Sequence, residues 1–327
     1  MSSTHQLSPP PAPAGGWSRR GTLGLLLAAP VAALAGCASL TDPVVRGTNS
    51  LEPPPVPSPE PEFVAAADEV EGLRALVSGL GAAAPAAWVE AVSAMLAAHV
   101  AVLTSRDPLG GLATPQPWFS PSASAPPAAP GIGLEQWTSA AADLAGAHSA
   151  RATGAASPDL AMLWASLAAA TTLHASPGPV PVAGPLPGPV EVDEEAACRN
   201  VLLAHLHALA QLLEVGVGIT DGEVRTAYQN RLAQVRGLVV EQQALIRALG
   251  ADPVGPLPGY DLPGATSTAD QVAATWTLVE QQVFAAHAPV AAASPSAGRA
   301  AAITAMEAQG RAVQGRGGSI SFFPGWV

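Results

Sequence analysis

The chain contains no lysine. All 14 positive side chains are arginine, set against 25 acids, for a formal charge of −11. Beyond the N-terminus the arginines form no cluster. Nucleic-acid binding depends on cations concentrated enough to neutralise phosphates, so no nucleic-acid partner is expected. Aromatic residues are scarce, 4% of a chain that is 49% hydrophobic. Much of the apolar remainder is alanine, so the expected core is built from small side chains. Cysteine occurs twice, at Cys37 and Cys198. With Cys37 committed elsewhere, as argued below, a disulfide framework is excluded. No segment alternates apolar and polar residues as a half-buried strand does, so β structure is not expected. Motifs of chemistry are missing too. There is no Glu-x-x-His and no Gly-x-Ser-x-Gly nucleophile elbow. Gly131-Ile132-Gly133 and Gly315-Arg316-Gly317-Gly318 follow no strand, which removes them as phosphate loops. What is plentiful is proline (34) and glycine (32). With alanine and arginine they read as the imprint of a high-GC genome rather than of a function. At 327 residues the chain is long enough for two ordinary domains.

Residues 18–37 read SRRGTLGLLLAAPVAALAGC. Arg19 and Arg20, followed by an uncharged run from Gly21 to Gly36, make a charged n-region and an apolar h-region. Leu34-Ala35-Gly36-Cys37 resembles a bacterial lipobox, in which the Cys37 thiol takes a diacylglycerol and the signal peptide, residues 1–36, is removed. Ser18-Arg19-Arg20 also resembles a twin-arginine export signal, with Thr22 where Phe or Leu is usual. A spanning anchor is the competing reading, because the uncharged run to Thr41 is about 20 residues long. Against it, Pro30 interrupts the run and its second half is Ala/Gly-rich. Either way the body is expected at the outer face of the cytoplasmic membrane. Removal of residues 1–36 leaves 12 Arg against 25 acids, a charge of −13. Attachment to an anionic bilayer therefore has to come from the lipid. Residues 37–61 form a tether, within which EPPPVPSPEP (52–61) favours polyproline II and spaces the body from the membrane.

Beyond residue 61 the pattern is helical. Phe63, Ala66, Val70, Leu73, Val77 and Leu80 make one amphipathic stripe, and Trp88, Val92, Met95, His99 and Val102 a second. A third runs Leu134, Trp137, Ala141, Leu144, His148, and a fourth Leu160, Leu163, Leu167, Ala170, His174. The first two pairs form a helical-hairpin region over 62–176, followed by a Pro/Gly linker over 177–192. Residues 193–318 hold four more helices, with seams at Leu202–Leu213, Val224–Leu249, Val272–Val290 and Ile303–Met306. Thr220-Asp221-Gly222-Glu223 has the form of a capping box, and Ser294-Pro295 of a helix start. Connectors within pairs are short, at 81–85, 153–157, 218–220 and 291–294. Connectors between pairs are long and rich in Pro and Gly, at 107–132, 176–192 and 250–266. The last can span the roughly 43 Å of the helix before it, returning the chain in the same direction. Hairpin, long crossover, hairpin is the ferritin-like route to four helices. The expected fold is all-α, a ferritin-like four-helix bundle preceded by the second helical-hairpin region. Whether the halves make one body or two stays open, and 319–327 form an apolar tail.

The stretches LLAHLHALAQLLEVGVGI and ALIRALGADPVGPLPGYDL, the Val279-Glu280 helix and the tail around Phe323-Pro324-Gly325 resemble a family of actinobacterial exported proteins carrying a ferritin-like domain of unknown function. The resemblance covers about 200–327. It implies a four-helix fold and no activity. It also implies a Glu-His pair on the first helix of the bundle, where this chain has Leu206-His207, so the carboxylate is lost.

A ferritin-like di-iron site needs a Glu from each of two helices and a Glu-x-x-His from each of the others. That set is missing. The remaining metal candidates are His205, His207, Glu280 and His287. His205 and His207 lie about 200° apart around one helix and cannot ligate one ion together. Glu280 and His287 share a face about 10 Å apart. His99, His148 and His174 occupy seam positions near helix C-termini, where a partly charged imidazole is favoured. Their antiparallel partners are expected to separate at least one from the others. Cys198 reads as a buried small hydrophobe, and SISFFPGWV as a segment docked on the bundle. No cofactor is expected, and no residue set supports an enzyme. The leading expectation is a lipid-anchored extracytoplasmic protein with an interaction or structural role, whose protein partner the sequence does not name. The competing one is a metal- or haem-handling protein with nonstandard ligands.

Overall fold

Proline opens helices here because its φ suits the first turn, where its missing N–H would have no partner anyway. In the computed structural model, which describes residues 58–112, 114–122 and 131–326, Pro61 and Pro158 begin helices. Pro85 and Pro295 stand at the caps of two others. The described helices are α1 (Pro61–Gly79), α2 (Ala86–Leu103), α3 (Leu134–Gly154), α4 (Pro158–Leu173), α5 (Glu195–Ile219), α6 (Gly222–Ala248), α7 (Ala269–Ala293) and α8 (Ser296–Gly315). The class is all-α, and the described residues outside helices add only two isolated bridges, Ser105 with Pro117 and Val182 with Ser321. The expected signal peptide, Cys37 and the expected tether up to residue 57 lie outside the described residues. The last tether residue, Pro61, already belongs to α1.

Local signals end the helices where periodicity stops. After α6, Gly250 takes φ +77°, its N–H reaches Arg247 O, and the Ala251 N–H reaches Ile246 O. This is a Schellman closure, which satisfies the last carbonyls. The capping box at Thr220 does not form. The Thr220 hydroxyl donates back to Gly216 O at 2.6 Å and its N–H to the same carbonyl. The residue thus closes α5, and Asp221 becomes the cap of α6 with no side-chain bond. Ser294 likewise ends α7 rather than starting α8, its hydroxyl 2.8 Å from Val290 O. In both cases the hairpin is so tight that one hydroxyl has two helix ends to choose from, and the carbonyl behind it is nearer.

The described residues from 58 onward pack as one unit with one continuous core. The close helix pairs are α1–α2 and α5–α6, α1–α3 and α5–α7, α3–α4 and α7–α8, α3–α8 and α4–α7, and α4–α8. Exchanging the halves, so that α1 becomes α5 and α4 becomes α8, maps this set onto itself. Each half is a hairpin, a crossover and a hairpin, and the α3–α4 hairpin of one packs on the α7–α8 hairpin of the other. Contacts give the directions. Trp88 of α2 meets Trp137 of α3 edge-on at 5.8 Å, and Tyr228 of α6 meets Trp276 of α7 at 4.4 Å. Both ring pairs join the N-terminal parts of helices separated by a crossover, so those helices run parallel. Gly216 makes the second pair possible, since a Cβ there would run into the Tyr228 ring. A further likeness follows: Trp88/His99, Trp137/His148 and Trp276/His287 all sit eleven residues apart, three helical turns.

The halves are joined by a charge as well as by apolar area. Arg299, near the start of α8, is buried. It donates to Ala152 O (2.7 Å), Thr153 O and Ala155 O at the end of α3, and to Ala292 O and Ser294 O at the end of α7. Two helix C-termini, each with partial negative charge, thus converge on one guanidinium.

The stretch 177–192, expected as a Pro/Gly linker, lies along the body. Pro187 O accepts from the Gly111 N–H, and Val182 exchanges backbone bonds with Ile320 and Phe322. Leu186, Val190 and Val192 rest on the core. It is a strap clamping the first crossover and the C-terminal tail, and the tail is docked, with Ile320, Phe323 and Trp326 buried. By length and composition alone α2 and α5 could cross a bilayer. Here α2 packs on α1, and α5 packs between α6 and α7.

Candidate functional site

A buried polar cluster lies where α6, α7 and α8 face one another. Glu280 of α7 is fully buried. Arg231 of α6 grips it with two prongs, Nε to Oε1 at 2.8 Å and Nη2 to Oε2 at 2.7 Å. The Trp276 indole N–H, one turn earlier on α7, donates to Oε1 at 2.8 Å, and the Gln309 amide of α8 donates to Oε2 at 2.6 Å. Each carboxylate oxygen therefore carries two donors. Gln309 also accepts from Arg231 Nη2 at 2.9 Å, so the amide is held from both sides. Arg316, just past α8, lies over the Trp276 ring at 3.6 Å, a cation–π contact that covers the cluster from outside.

A ferritin-like metal centre would need several inward carboxylates and imidazoles at such a level. The residues present do not fit it. One carboxylate faces an arginine and an amide, and its lone pairs are already engaged. Among the described residues no group of three or more His, Cys, Asp or Glu is placed to hold a metal ion.

The remaining candidates are dispersed. His205 is half-buried on α5, in an open groove of about 580 Å³ against α7 that Val201, Leu278, Gln281 and Pro289 also line; burial lowers its pKa. His207 is buried on the opposite side, its Nε2 without a partner. His287 is buried near the end of α7, where burial and then the charge of Arg199 push it down to about 4. Arg199 itself is paired with Glu195 at 2.6 Å and donates to Gln242 at 3.0 Å. The four residues singled out from sequence are thus not brought to one point. Cys198 is buried, its thiol 3.5 Å from Asp193 O and pushed up chiefly by burial.

The first half holds a second group. His99, His148 and His174 are all buried. Because α2 and α3 run parallel, the expected separation does not part His99 from His148. His99 comes within electrostatic reach of both others, opposing their protonation. His99 Nε2 lies 2.8 Å from Phe322 O, and its ring packs on Phe323 at 5.1 Å. His148 stacks on Trp164 at 5.7 Å and has Arg151 Nη1 3.4 Å from its Nδ1. Arg151 in turn pairs with Glu69 of α1 at 2.7 Å. Burial pushes His99 and His174 down to about 4 and His148 well below its ordinary value.

Arg231, Gln309 and Arg299 were not legible as site residues, because an arginine beside an apolar seam looks like a solvated one. Trp276 and Glu280, four apart and therefore on one face, were the available signal. No curated protein and no solved structure matches the chain. A family model described as Domain of unknown function (DUF4439) matches residues 201–327, from the first turns of α5 through the docked tail, so the Glu280 cluster lies wholly within the matched region.

Proposed function

We propose that this chain is a lipoprotein, anchored through Cys37 to the outer face of the cytoplasmic membrane, whose helical body acts by interaction or as a structural element rather than by catalysis. On the same reading residues 193–318 are a ferritin-like bundle in which an ion pair stands where such bundles hold metal. The observation that carries it is Glu280, whose two oxygens are taken by Arg231, Trp276 and Gln309. A carboxylate neutralised by an arginine fork is a poor ligand for a hard cation, because the arginine would have to leave a buried site uncompensated. The competing reading is metal or haem handling through His205, His207, Glu280 or His287.

Elemental analysis and an absorption spectrum of the mature chain, purified from membranes, separate the two. The expected result is neither stoichiometric metal nor a chromophore, and either one would put the metal- or haem-handling reading in its place. The anchor has its own test. Cys37→Ala is expected to move the protein from the membrane to the soluble fraction, and unchanged partitioning would remove lipidation from the account.

A further inference from the structure

The three buried histidines of the first half and the C-terminal tail are parts of one arrangement. The tail, residues 319–326, is tied down at four points. Phe322 O accepts from His99 Nε2, Ile320 O and Phe322 N–H pair with Val182, the Trp326 indole donates to Gly188 O at 3.3 Å, and Ser319 O accepts from Gln281 at 3.1 Å. Phe323 covers the His99 ring. The tail is thus the lid over the central histidine of the three.

The hydrogen bonding makes the neutral forms specific. A carbonyl only accepts, so His99 Nε2 carries its hydrogen, leaving Nδ1 bare and buried without a partner. A guanidinium only donates, so Arg151 requires His148 Nδ1 to be the bare nitrogen. Its Nε2–H is then buried without an acceptor. Neither ring nitrogen of His174 has a partner. A second proton on any ring would therefore create an N–H with nowhere to donate in a buried region, and on His148 it would also face the Arg151 guanidinium. The charged neighbours do not relieve this. From α3 come His148 and Arg151, from α4 His174, and from α1 Glu69, which Arg151 already holds. From α8, Glu307 accepts from Thr172 and is paired with Arg311. Residues 319–326 of the tail carry no titratable group, and the strap over them carries Glu191 alone. Phe322 O would accept from a charged His99 equally well, so that bond does not oppose charging; the seal does.

We infer that the tail is a pH-operated latch over His99, closed while that ring is neutral and opened by its protonation. Undocking is the smallest movement that wets His99, because it disturbs no helix. Protons bind the open form more tightly than the closed one, so acid shifts the population toward it.

Hydrogen exchange of the full-length mature chain, read by mass spectrometry at pH 7 and pH 5 and corrected for intrinsic rates, tests the latch. Tail amides, residues 320–326, should lose protection by about tenfold or more between the two, while the α5 amides 206–213 keep theirs. His99→Gln, whose amide still reaches Phe322 O but does not titrate, should blunt that loss. Equal tail protection at both pH values in the native chain would overturn the proposal. So would a tail that loosens only together with α5, or a His99→Gln chain with the native pH dependence. The native-chain comparison stands even where the variant folds poorly.

Discussion

Arg231 and Glu280 pair a partly buried guanidinium with a fully buried carboxylate. Removing two ions from water costs several kcal/mol each, which their attraction offsets only when the remaining hydrogen-bonding groups are satisfied. Here they are, so the pair is tolerated, and the penalty falls on whichever ion loses its partner. Arg231→Met should destabilise the chain by about 3–5 kcal/mol, because it strands a buried carboxylate. Arg231→Met combined with Glu280→Leu should recover most of that loss in urea denaturation, since no buried charge is left. An additive double variant would mean that the two residues do not act as a pair. The histidines make a second prediction. His99, His174 and His287 are pushed to about 4 by burial, from an ordinary value near 6.5. Above about 6.5 both folded and unfolded chains hold them neutral, and full stability is present. As the pH falls toward 4 the unfolded chain takes up protons first, so stability declines, by up to about 3 kcal/mol per histidine. Urea midpoints measured between pH 7.5 and 4 should show this slope, and His287→Gln should make it shallower.

Helix ends carry the next level of organisation. Arg299 closes α3 and α7 at once, five carbonyls from two halves meeting one guanidinium. Arg299→Ala leaves those carbonyls buried without donors and removes a cation from two helix C-termini. A loss of about 3 kcal/mol or more is expected in thermal or urea unfolding. Arg299→Lys should recover only part of it, because an ammonium cannot spread its donors over two helix ends. The same region explains why the sequence placed Ser294 at the start of α8. A Ser-Pro pair between two helices is an acceptable start for one and an acceptable stop for the other, and local pattern does not choose. Thr220 posed the same choice and was resolved the same way, by the carbonyl four residues behind it.

In the whole molecule the two halves lean on each other through α3, α4, α7 and α8. A boundary at 177–192 would predict two independent unfolding events. The shared core and the strap predict one. Calorimetry of the mature chain should give a single transition with equal calorimetric and van't Hoff enthalpies, and two resolved transitions would mean that the halves are separate cooperative units. A cut after residue 192 should expose the faces of α7 and α8 that α4 covers, so residues 193–327 alone should be less stable than the intact chain.

The sequence by itself determined the helices and their punctuation. The periodic stripes from Phe63 to Met306 became α1–α8, and the short connectors at 153–157 and 218–220 became tight hairpins. Those features depend on spacing within one or two turns and on Pro, Gly and hydroxyl residues acting locally. The tertiary structure alone decided which faces met. It set Trp88 against Trp137 and Tyr228 against Trp276, gave Glu280 an arginine 49 residues away, and laid the Pro/Gly linker of 177–192 along the core as a strap. The physical reason is that an apolar stripe specifies burial without specifying a partner, and a buried charge can only be recognised once the group that neutralises it is in place.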